Sequence, residues 1–127
     1  MKKLLILIIA SIFSVGVWAT NPSYDYCNTV NMNELDNVER SECSGVLKTT
    51  NQKEMNLLLQ KVISSKSLDP KDKTVIQESQ KAFVNYMNKQ CSLFVNNGAS
   101  ADGLINKELC EVVLIDQRNQ VLETMVD

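Results

Sequence analysis

Four cysteines carry the clearest chemistry in this 127-residue chain: Cys27, Cys43, Cys91 and Cys110. An even number of cysteines in a small exported domain is typical of disulfide bonds. Zinc binding is the alternative, but the cysteines are too widely separated to form a Cys-x-x-Cys pair, and the chain has no histidine. The cysteines therefore predict two disulfides, and the sequence predicts neither a metal nor another cofactor.

Carboxylates are the remaining candidate catalytic groups, and three pairs are close in sequence: Glu34 with Asp36, Asp69 with Asp72, and Glu108 with Glu111. A glycosidase holds two carboxylates across a cleft, whereas each of these pairs lies in the opening turns of a predicted helix, where negative charge favours the helix dipole. Because histidine is absent, no serine–histidine or cysteine–histidine dyad can form. The sequence therefore predicts a binding protein and not an enzyme.

The segment 1–19 predicts a secretory signal peptide. Met1-Lys2-Lys3 is basic, the run from Leu4 to Val17 is apolar, and the small residues Val17 and Ala19 precede the expected cleavage site. The stretch from Leu4 to Ala19 is shorter than the roughly 20 residues that span a bilayer. We therefore expect an exported protein, periplasmic or secreted, whose mature chain of residues 20–127 is not held in a membrane.

The mature chain is predicted to form one domain with a modest negative charge. Without Lys2 and Lys3 the 13 basic residues fall to 11, against 15 acidic ones, so the net charge is −4. The length of the mature chain suits a single domain. No cluster of basic residues stands out, which argues against a nucleic-acid partner. The acidic excess favours cationic partners.

Apolar residues at helical spacing predict an all-α protein, a small antiparallel bundle of three to four helices stabilised by the two disulfides. Residues Thr20 to Asn31 read as an extended lead-in, and Asn33 can cap a first helix. Whether Ser44-Gly45 ends that helix stays open. A second helical pattern runs from Val46 to about Lys66.

Asp69-Pro70 marks the clearest helix start, because aspartate caps free backbone N–H groups and proline suits the first helical turn. This helix is predicted to run to about Asn96. Its inward side is predicted to be Ile76, Phe83, Met87, Cys91 and Phe94. A last helix follows from about Leu104 to Met125, with Val113 and Val121 among its inward residues.

The heights of the cysteines in an antiparallel hairpin favour one disulfide pairing. If the last loop is centred near residue 100, Cys91 lies nearly as far before the centre as Cys110 lies after it. At about 1.5 Å per residue the two cysteines then sit at the same height. Cys91–Cys110 is favoured, which leaves Cys27–Cys43. The alternative pairs Cys43 with Cys91 and Cys27 with Cys110.

The same count of residues from each loop places Asn56, Gln80 and Arg118 at one level of the bundle, where they are predicted to form a buried polar layer. Arg118 and Gln80 lie at nearly equal sequence distances on either side of the last loop centre, while Asn56 and Gln80 are equally distant from the turn near residue 68. A buried arginine without partners is costly, so we expect hydrogen bonds among the three or to helix carbonyls. The layer is either a network that fixes helix register or a small polar binding patch.

The loop between the last two helices is a candidate contact for a partner. The residues of interest are Asn96, Asn97, Gly98, Ser100, Asp102 and Gly103. A Cys91–Cys110 bridge would hold the base of this loop, and Asp102 could meet cationic or hydrogen-bonding groups. The alternative is a plain connector, since most surface loops carry no function of their own.

The residue types and their spacing resemble the LprI lysozyme-inhibitor family of small exported bacterial proteins. The matching positions are Cys27, Cys43, Met55-Asn56, Gln80-Lys81-Ala82-Phe83, Cys91, Cys110, Arg118 and Leu122. The resemblance implies an all-helical, disulfide-bonded domain in which Asn56, Gln80 and Arg118 recur as a polar set. The chain departs from the family at Phe83, where tryptophan is frequent, and at Met87-Asn88, where an Arg-Asp pair is common.

From the resemblance we expect an exported binding protein that inhibits lysozyme or a related cell-wall hydrolase, so that the partner is a protein. The alternative is an envelope or stress-related protein that binds another protein or a small ligand without inhibiting anything. A small hydrolase is a third reading, and the missing catalytic residues disfavour it.

Overall fold

A computed structural model of the protein describes residues 22–96, 98 and 100–126. Within these residues the chain forms four α-helices and no strand. The helices are α1 (Tyr24–Thr29), α2 (Asn37–Ile63), α3 (Pro70–Ser92) and α4 (Ala101–Glu123), with a 3₁₀ turn at Met32–Glu34. The predicted all-α bundle is confirmed. The predicted signal peptide lies outside the described residues, and none of the four helices is both long and apolar enough to cross a bilayer.

Side-chain caps explain where α3 and α4 begin. Asp69 Oδ1 accepts a hydrogen bond from the Lys71 backbone N–H at 2.9 Å, and Pro70 occupies the first helical position. Ser100 Oγ accepts from the Gly103 backbone N–H at 3.0 Å. These oxygens satisfy backbone donors that have no partner in the first turn of a helix. The predicted start at Asp69-Pro70 is confirmed, whereas α4 begins at Ala101 and so earlier than the predicted Leu104.

The start of α2 differs from the prediction, and α2 is not interrupted. Asp36, not Asn33, caps the helix, because its carboxylate accepts from the Glu39 backbone N–H at 2.9 Å. The helix then runs unbroken through Ser44-Gly45. Helix α4 lies beside this point: a Cβ at Gly45 would be in ordinary van der Waals contact with a carboxylate oxygen of Glu108, at 3.6 Å.

The lead-in that the sequence suggested would be extended is helical. Ser23 Oγ accepts from the Tyr26 backbone N–H at 3.1 Å and starts α1. The helix turns Cys27 inward, where it is only 2% exposed. Burial of the cysteine against α2 therefore selects a helical turn for a segment whose sequence is too short and polar to show helical periodicity.

Helices α2 and α4 are parallel, and α3 runs antiparallel to both. Arg40 pairs with Asp102 near the starts of α2 and α4, and Lys48 pairs with Glu111 further along both helices. The chain reverses direction between α2 and α3 and again between α3 and α4. The interface between α2 and α4 is the most extensive, and the contacts between α2 and α3 are few.

Two apolar clusters form the core. The main cluster joins all three long helices, and its buried members are Met55, Leu58, Met87, Cys91, Ile115 and Leu122. A smaller cluster fastens α1 to α2 with Cys27, Cys43 and Leu47. Val113 and Val121 do not face inward as expected, since they are 54% and 46% exposed. The inward side of α4 follows Ile115 and Leu122, and both valines are turned away from it, at about 100° per residue.

The predicted disulfide pairing is confirmed. Cys27–Cys43 joins α1 to α2 with a Cα–Cα distance of 5.1 Å, and Cys91–Cys110 joins α3 to α4 at 5.6 Å. Among the residues described, none is a free cysteine. Each disulfide lies in one of the two apolar clusters, so each bond links a helix pair that apolar packing also holds.

The first prediction concerns α3, which depends on its disulfide. Replacing both Cys91 and Cys110 by alanine should lower the free energy of unfolding by about 3 kcal/mol, the amount expected for a loop of this length. Because α3 has few contacts with α2, its amides should also lose hydrogen-exchange protection first. Urea unfolding and native-state hydrogen exchange measure the two effects.

The double alanine variant of Cys27 and Cys43 is the matched control, because the sequence separations of the two pairs, 16 and 19, are similar. It should lose a similar free energy while α3 keeps its protection. Equal loss of protection in α3 for both variants would contradict a local role for Cys91–Cys110.

Candidate functional site

Arg118 on α4 contacts α3 through three side chains. Its Nε donates to Gln80 Oε1 at 2.9 Å, and its Nη2 donates to Ser79 Oγ at 2.9 Å. Its guanidinium carbon lies 5.8 Å from the centre of the Phe83 ring, within the range of a cation–π interaction. All three partners are electrically neutral. Helix α3 therefore orients the guanidinium without neutralising it.

Gln80 continues the polar contact to α2, and Asn56 does not take part. The Gln80 side chain is buried, and its Nε2 donates to Met55 Sδ at 3.4 Å. Asn56 is exposed, so the prediction that it joins a buried layer with Gln80 and Arg118 is wrong. Successive helical residues point about 100° apart. Met55, at 3% exposure, takes the inward position and turns Asn56 to solvent.

The charge of Arg118 has no acidic partner among the residues that the structure describes. The ion pairs found there are Arg40–Asp102, Lys48–Glu111 and Lys107–Glu111. The α4 residues one turn away from Arg118 are apolar: Leu114, Ile115, Val121 and Leu122. Partial burial lowers the pKa of the Arg118 guanidinium, which nevertheless stays protonated at neutral pH. Arg118 therefore carries a positive charge that forms no ion pair with a carboxylate of the described residues.

Exposed apolar side chains lie one helical turn away from the Arg118–Ser79 contact along both helices. Val75 lies one turn before Ser79 on α3 and is 54% exposed. Val121 lies one turn after Arg118 on α4 and is 46% exposed. Because the two helices are antiparallel, these turns lie side by side. We call Val75, Ser79, Phe83, Arg118 and Val121 the Arg118 face.

A second exposed surface lies where α3 ends and α4 begins. Leu93, Phe94 and Leu104 are 60%, 50% and 54% exposed. The prediction that Phe94 faces the core is wrong, because α3 ends at Ser92 and the helical period ends with it. Gly103 allows the close approach here, since a Cβ at this position would lie 2.8 Å from the Phe94 carbonyl oxygen. We call the exposed side chains of Leu93, Phe94 and Leu104 the tip.

The predicted loop of residues 96–103 is shorter than expected. Asn96 is exposed in the turns after α3, and Gly98 has a φ of 110°, a left-handed conformation that glycine adopts without strain. Asn97 lies outside the described residues. Ser100 is the cap of α4. The connector therefore ends at residue 100.

Asp102 and Gly103 belong to the first turn of α4 and not to the loop. The Asp102 carboxylate is 68% exposed and lies 3.7 Å from Arg40 Nη1. Arg40 Nη2 also donates to Asn106 Oδ1 at 3.4 Å. The structure thus brings this end of α4 against the first turns of α2, and Asp102 remains accessible at the base of the tip.

A row of polar contacts between α2 and α4 was missed in the sequence. Ser44 Oγ donates to a Glu108 carboxylate oxygen at 2.7 Å, and Lys48 Nζ lies 2.9 Å from a Glu111 oxygen. The row continues where Asn119 Nδ2 donates to the Asn51 backbone carbonyl at 3.0 Å. We call these pairs the polar seam.

The sequence suggested that Glu108 and Glu111 interact with the dipole at the start of α4, and this interpretation is wrong. Helix α4 begins at Ala101, so both residues lie two to three turns inside it and face α2. The signal that could have identified Glu111 was its place in a run of apolar residues from Leu109 to Ile115. A charge there implies a partner on another helix.

Glu111 is the most buried charge of the seam, since its side chain is 6% exposed. Burial by itself raises the pKa of the Glu111 carboxyl. Lys107 and Lys48 outweigh that effect, because each ammonium donates a hydrogen bond to the carboxylate and attracts its charge. The pKa is therefore lowered from its ordinary value of 4.5. Glu111 is held as a carboxylate by two lysines and is not poised as a catalytic acid.

The depressions found among the described residues are open surfaces. A groove of about 250 Å³ lies between the first turns of α2 and α4, below the roughly 300–1,000 Å³ of ligand pockets. A larger depression of about 640 Å³ is lined by residues of α2 and its end, from Leu57 to Ser64, and is open surface. No group of three or more cysteine, aspartate or glutamate residues in the described chain is arranged to hold a metal ion.

A comparison with protein families finds a match over most of the chain. The family model described as "Lysozyme inhibitor LprI" matches residues 27–122, which is well over half of the chain and includes both disulfides and Arg118. Comparison with curated proteins and with solved structures returned no match.

The second prediction concerns the pH dependence that Glu111 gives to stability. Glu111→Gln leaves Lys48 and Lys107 without their carboxylate and should cost about 1–3 kcal/mol near neutral pH. Because the pKa of Glu111 is lower in the folded chain than in the unfolded chain, its contribution is present above pH 4.5 and is lost as the pH falls through the folded pKa. Urea unfolding as a function of pH measures both effects.

The control is Glu54→Gln, since Glu54 is exposed on α2 and forms no ion pair with another described residue. Its stability should stay within about 0.5 kcal/mol of the wild type. If the Glu111→Gln protein loses stability in acid as steeply as the wild type does, Glu111 is not the source of this pH dependence.

Proposed function

The chain belongs to the LprI lysozyme-inhibitor family, and from this membership we propose that the mature protein is an exported inhibitor of a lysozyme or a related cell-wall hydrolase. The match over residues 27–122 carries the proposal. The two disulfides support the export, since such bonds persist in oxidising compartments such as the periplasm and the cell exterior.

The distribution of charge supports a basic partner. Residues 34–42, at the end of the bundle that carries the tip, contain four acidic residues and one arginine. Residues 61–73, at the opposite end, contain four lysines and two aspartates. A basic lysozyme is therefore attracted most strongly to the acidic end, and long-range attraction of this kind raises the rate of association.

The hairpin of α3 and α4 is the proposed inhibitory element. Blocking a substrate cleft requires a projecting part that does not collapse when it is inserted, and Cys91–Cys110 fixes the hairpin near its end. The tip adds large apolar side chains that lose their contact with water on binding, beside the accessible Asp102 carboxylate. Apolar residues with a polar rim are the usual composition of a protein interface.

The third prediction tests the inhibition itself. Purified mature protein should bind at least one lysozyme at micromolar concentration or below and protect cell walls from lysis by it. Complex formation is measured by calorimetry, and lysis by the turbidity of a cell-wall suspension. Binding without protection would support the non-inhibitory alternative, and neither binding nor protection by any of several lysozymes would overturn the proposal.

The fourth prediction tests the tip. Phe94→Ser should weaken binding about tenfold, because an apolar side chain buried in an interface contributes on the order of 1–2 kcal/mol. Leu57→Ser is the matched control, since Leu57 is also 50% exposed but lies on α2 near the opposite end of the bundle. Equal affinities of the two variants would show that the tip does not contact the lysozyme.

A further inference from the structure

Arg118 keeps free hydrogen-bond donors after its contacts with α3. A guanidinium has five N–H groups, and the contacts with Gln80 and Ser79 use one on Nε and one on Nη2. The three that remain are on Nη1 and Nη2, and these two nitrogens can bind both oxygens of one carboxylate. No carboxylate of the described chain forms an ion pair with Arg118.

The Arg118 face has the properties of a binding anchor. Arginine is among the residues that dominate binding energies when surrounding apolar groups exclude water. Val75 and Val121 supply such groups, and the Phe83 ring supports the guanidinium. Because neutral side chains already hold Arg118 in place, little side-chain freedom remains to be lost when a ligand binds.

We infer that Arg118 is a carboxylate-binding residue and that its ligand is a catalytic carboxylate in the cleft of the inhibited hydrolase. The inference rests on the proposed function. Lysozymes are glycosidases, and glycosidases of this kind hold two carboxylates across the cleft where the sugar chain binds. A guanidinium on one of these carboxylates occupies the group that the reaction needs and excludes the substrate.

The tip and Arg118 can contact one enzyme together. From Ala101 to Arg118 the helix rises about 25 Å. A standard interface buries about 800 Å² of each partner, a patch roughly 30 Å across. The hairpin of α3 and α4 therefore has the length to lie along a cleft, with the tip at one end and Arg118 further in. The acidic end of the bundle attracts the basic enzyme at long range, and Arg118 recognises a single anionic group at short range.

Ser79 allows a test that separates binding from a structural role. Ser79→Asp places a carboxylate where the serine hydroxyl lies 2.9 Å from Arg118 Nη2, so that Arg118 acquires an internal partner. If Arg118 only joins α3 to α4, this ion pair maintains the join and inhibition is unchanged. We expect inhibition and affinity to fall at least about tenfold while the melting temperature is unchanged or higher. The added negative charge would by itself increase the affinity for a basic enzyme, so long-range attraction cannot explain a loss of affinity.

The charge-matched control is Gln77→Glu, which adds the same charge at an exposed position of α3. It should bind as tightly as the wild type or slightly more tightly. Glu111→Gln serves as a control for stability, because it weakens the fold at the polar seam and leaves Arg118 unchanged. A Ser79→Asp protein that inhibits as well as the wild type would overturn the inference and leave the proposed function intact.

A double-mutant cycle identifies the ligand. Arg118→Gln is combined with a lysozyme in which a catalytic carboxylate is replaced by its amide, and the dissociation constants of all four pairs are measured. Each change alone should weaken binding at least about tenfold, and the two together should weaken it little further. Additive effects for both catalytic carboxylates would overturn the inference. A wild-type protein that binds no lysozyme would overturn the proposed function together with it.

Discussion

Helix α3 is joined to the bundle mainly through α4, and two attachments fix it there. Near its end, the Cys91–Cys110 disulfide binds α3 to α4 covalently. About three turns away, Arg118 reaches from α4 to Gln80 and Ser79. Two attachments at different heights define both the level and the direction of a helix, so the hairpin holds its shape although α3 has few contacts with α2. A hairpin that is fixed in this way loses little conformational entropy when a partner binds it.

On the side that faces α2, α4 is held by polar pairs as well as by apolar packing. Its contacts with α2 include the polar seam, whose members lie at successive turns of α2, from Ser44, which pairs with Glu108, to the Asn51 carbonyl, which pairs with Asn119. A shift of α2 by one turn would separate these partners and leave buried polar groups unpaired, which is more costly than the loss of apolar contact alone. The seam therefore fixes the parallel register of α2 and α4. That register places the acidic first turns of α2 beside the tip, at one end of the molecule.

The sequence was sufficient to predict features that depend on neighbouring residues, and those that depend only on how far along a helix a residue lies from a loop. Asp69-Pro70 marks a helix start by its own chemistry, and nearly equal distances from one loop were sufficient to pair Cys91 with Cys110. The level of Asn56 along the bundle was estimated in the same way, but its side chain was wrongly expected to face inward. Adjacent residues of a helix point about 100° apart, and packing in the core places Met55 on the inward side and not Asn56. Glu111 was assigned to a helix start because that helix was predicted to begin near Leu104, whereas it begins at Ala101. The pairing of Glu111 with Lys48 could not be predicted, because it depends on the register of two parallel helices.

The structure of the complex with an inhibited lysozyme tests the central claim most directly. We predict that the hairpin of α3 and α4 lies in the substrate cleft and that Nη1 and Nη2 of Arg118 are within about 3 Å of a catalytic carboxylate. The contacts of Arg118 with Gln80 and Ser79 should be retained in that complex. A complex in which the cleft is open or filled by another part of the chain, with Arg118 facing solvent, would contradict the claim.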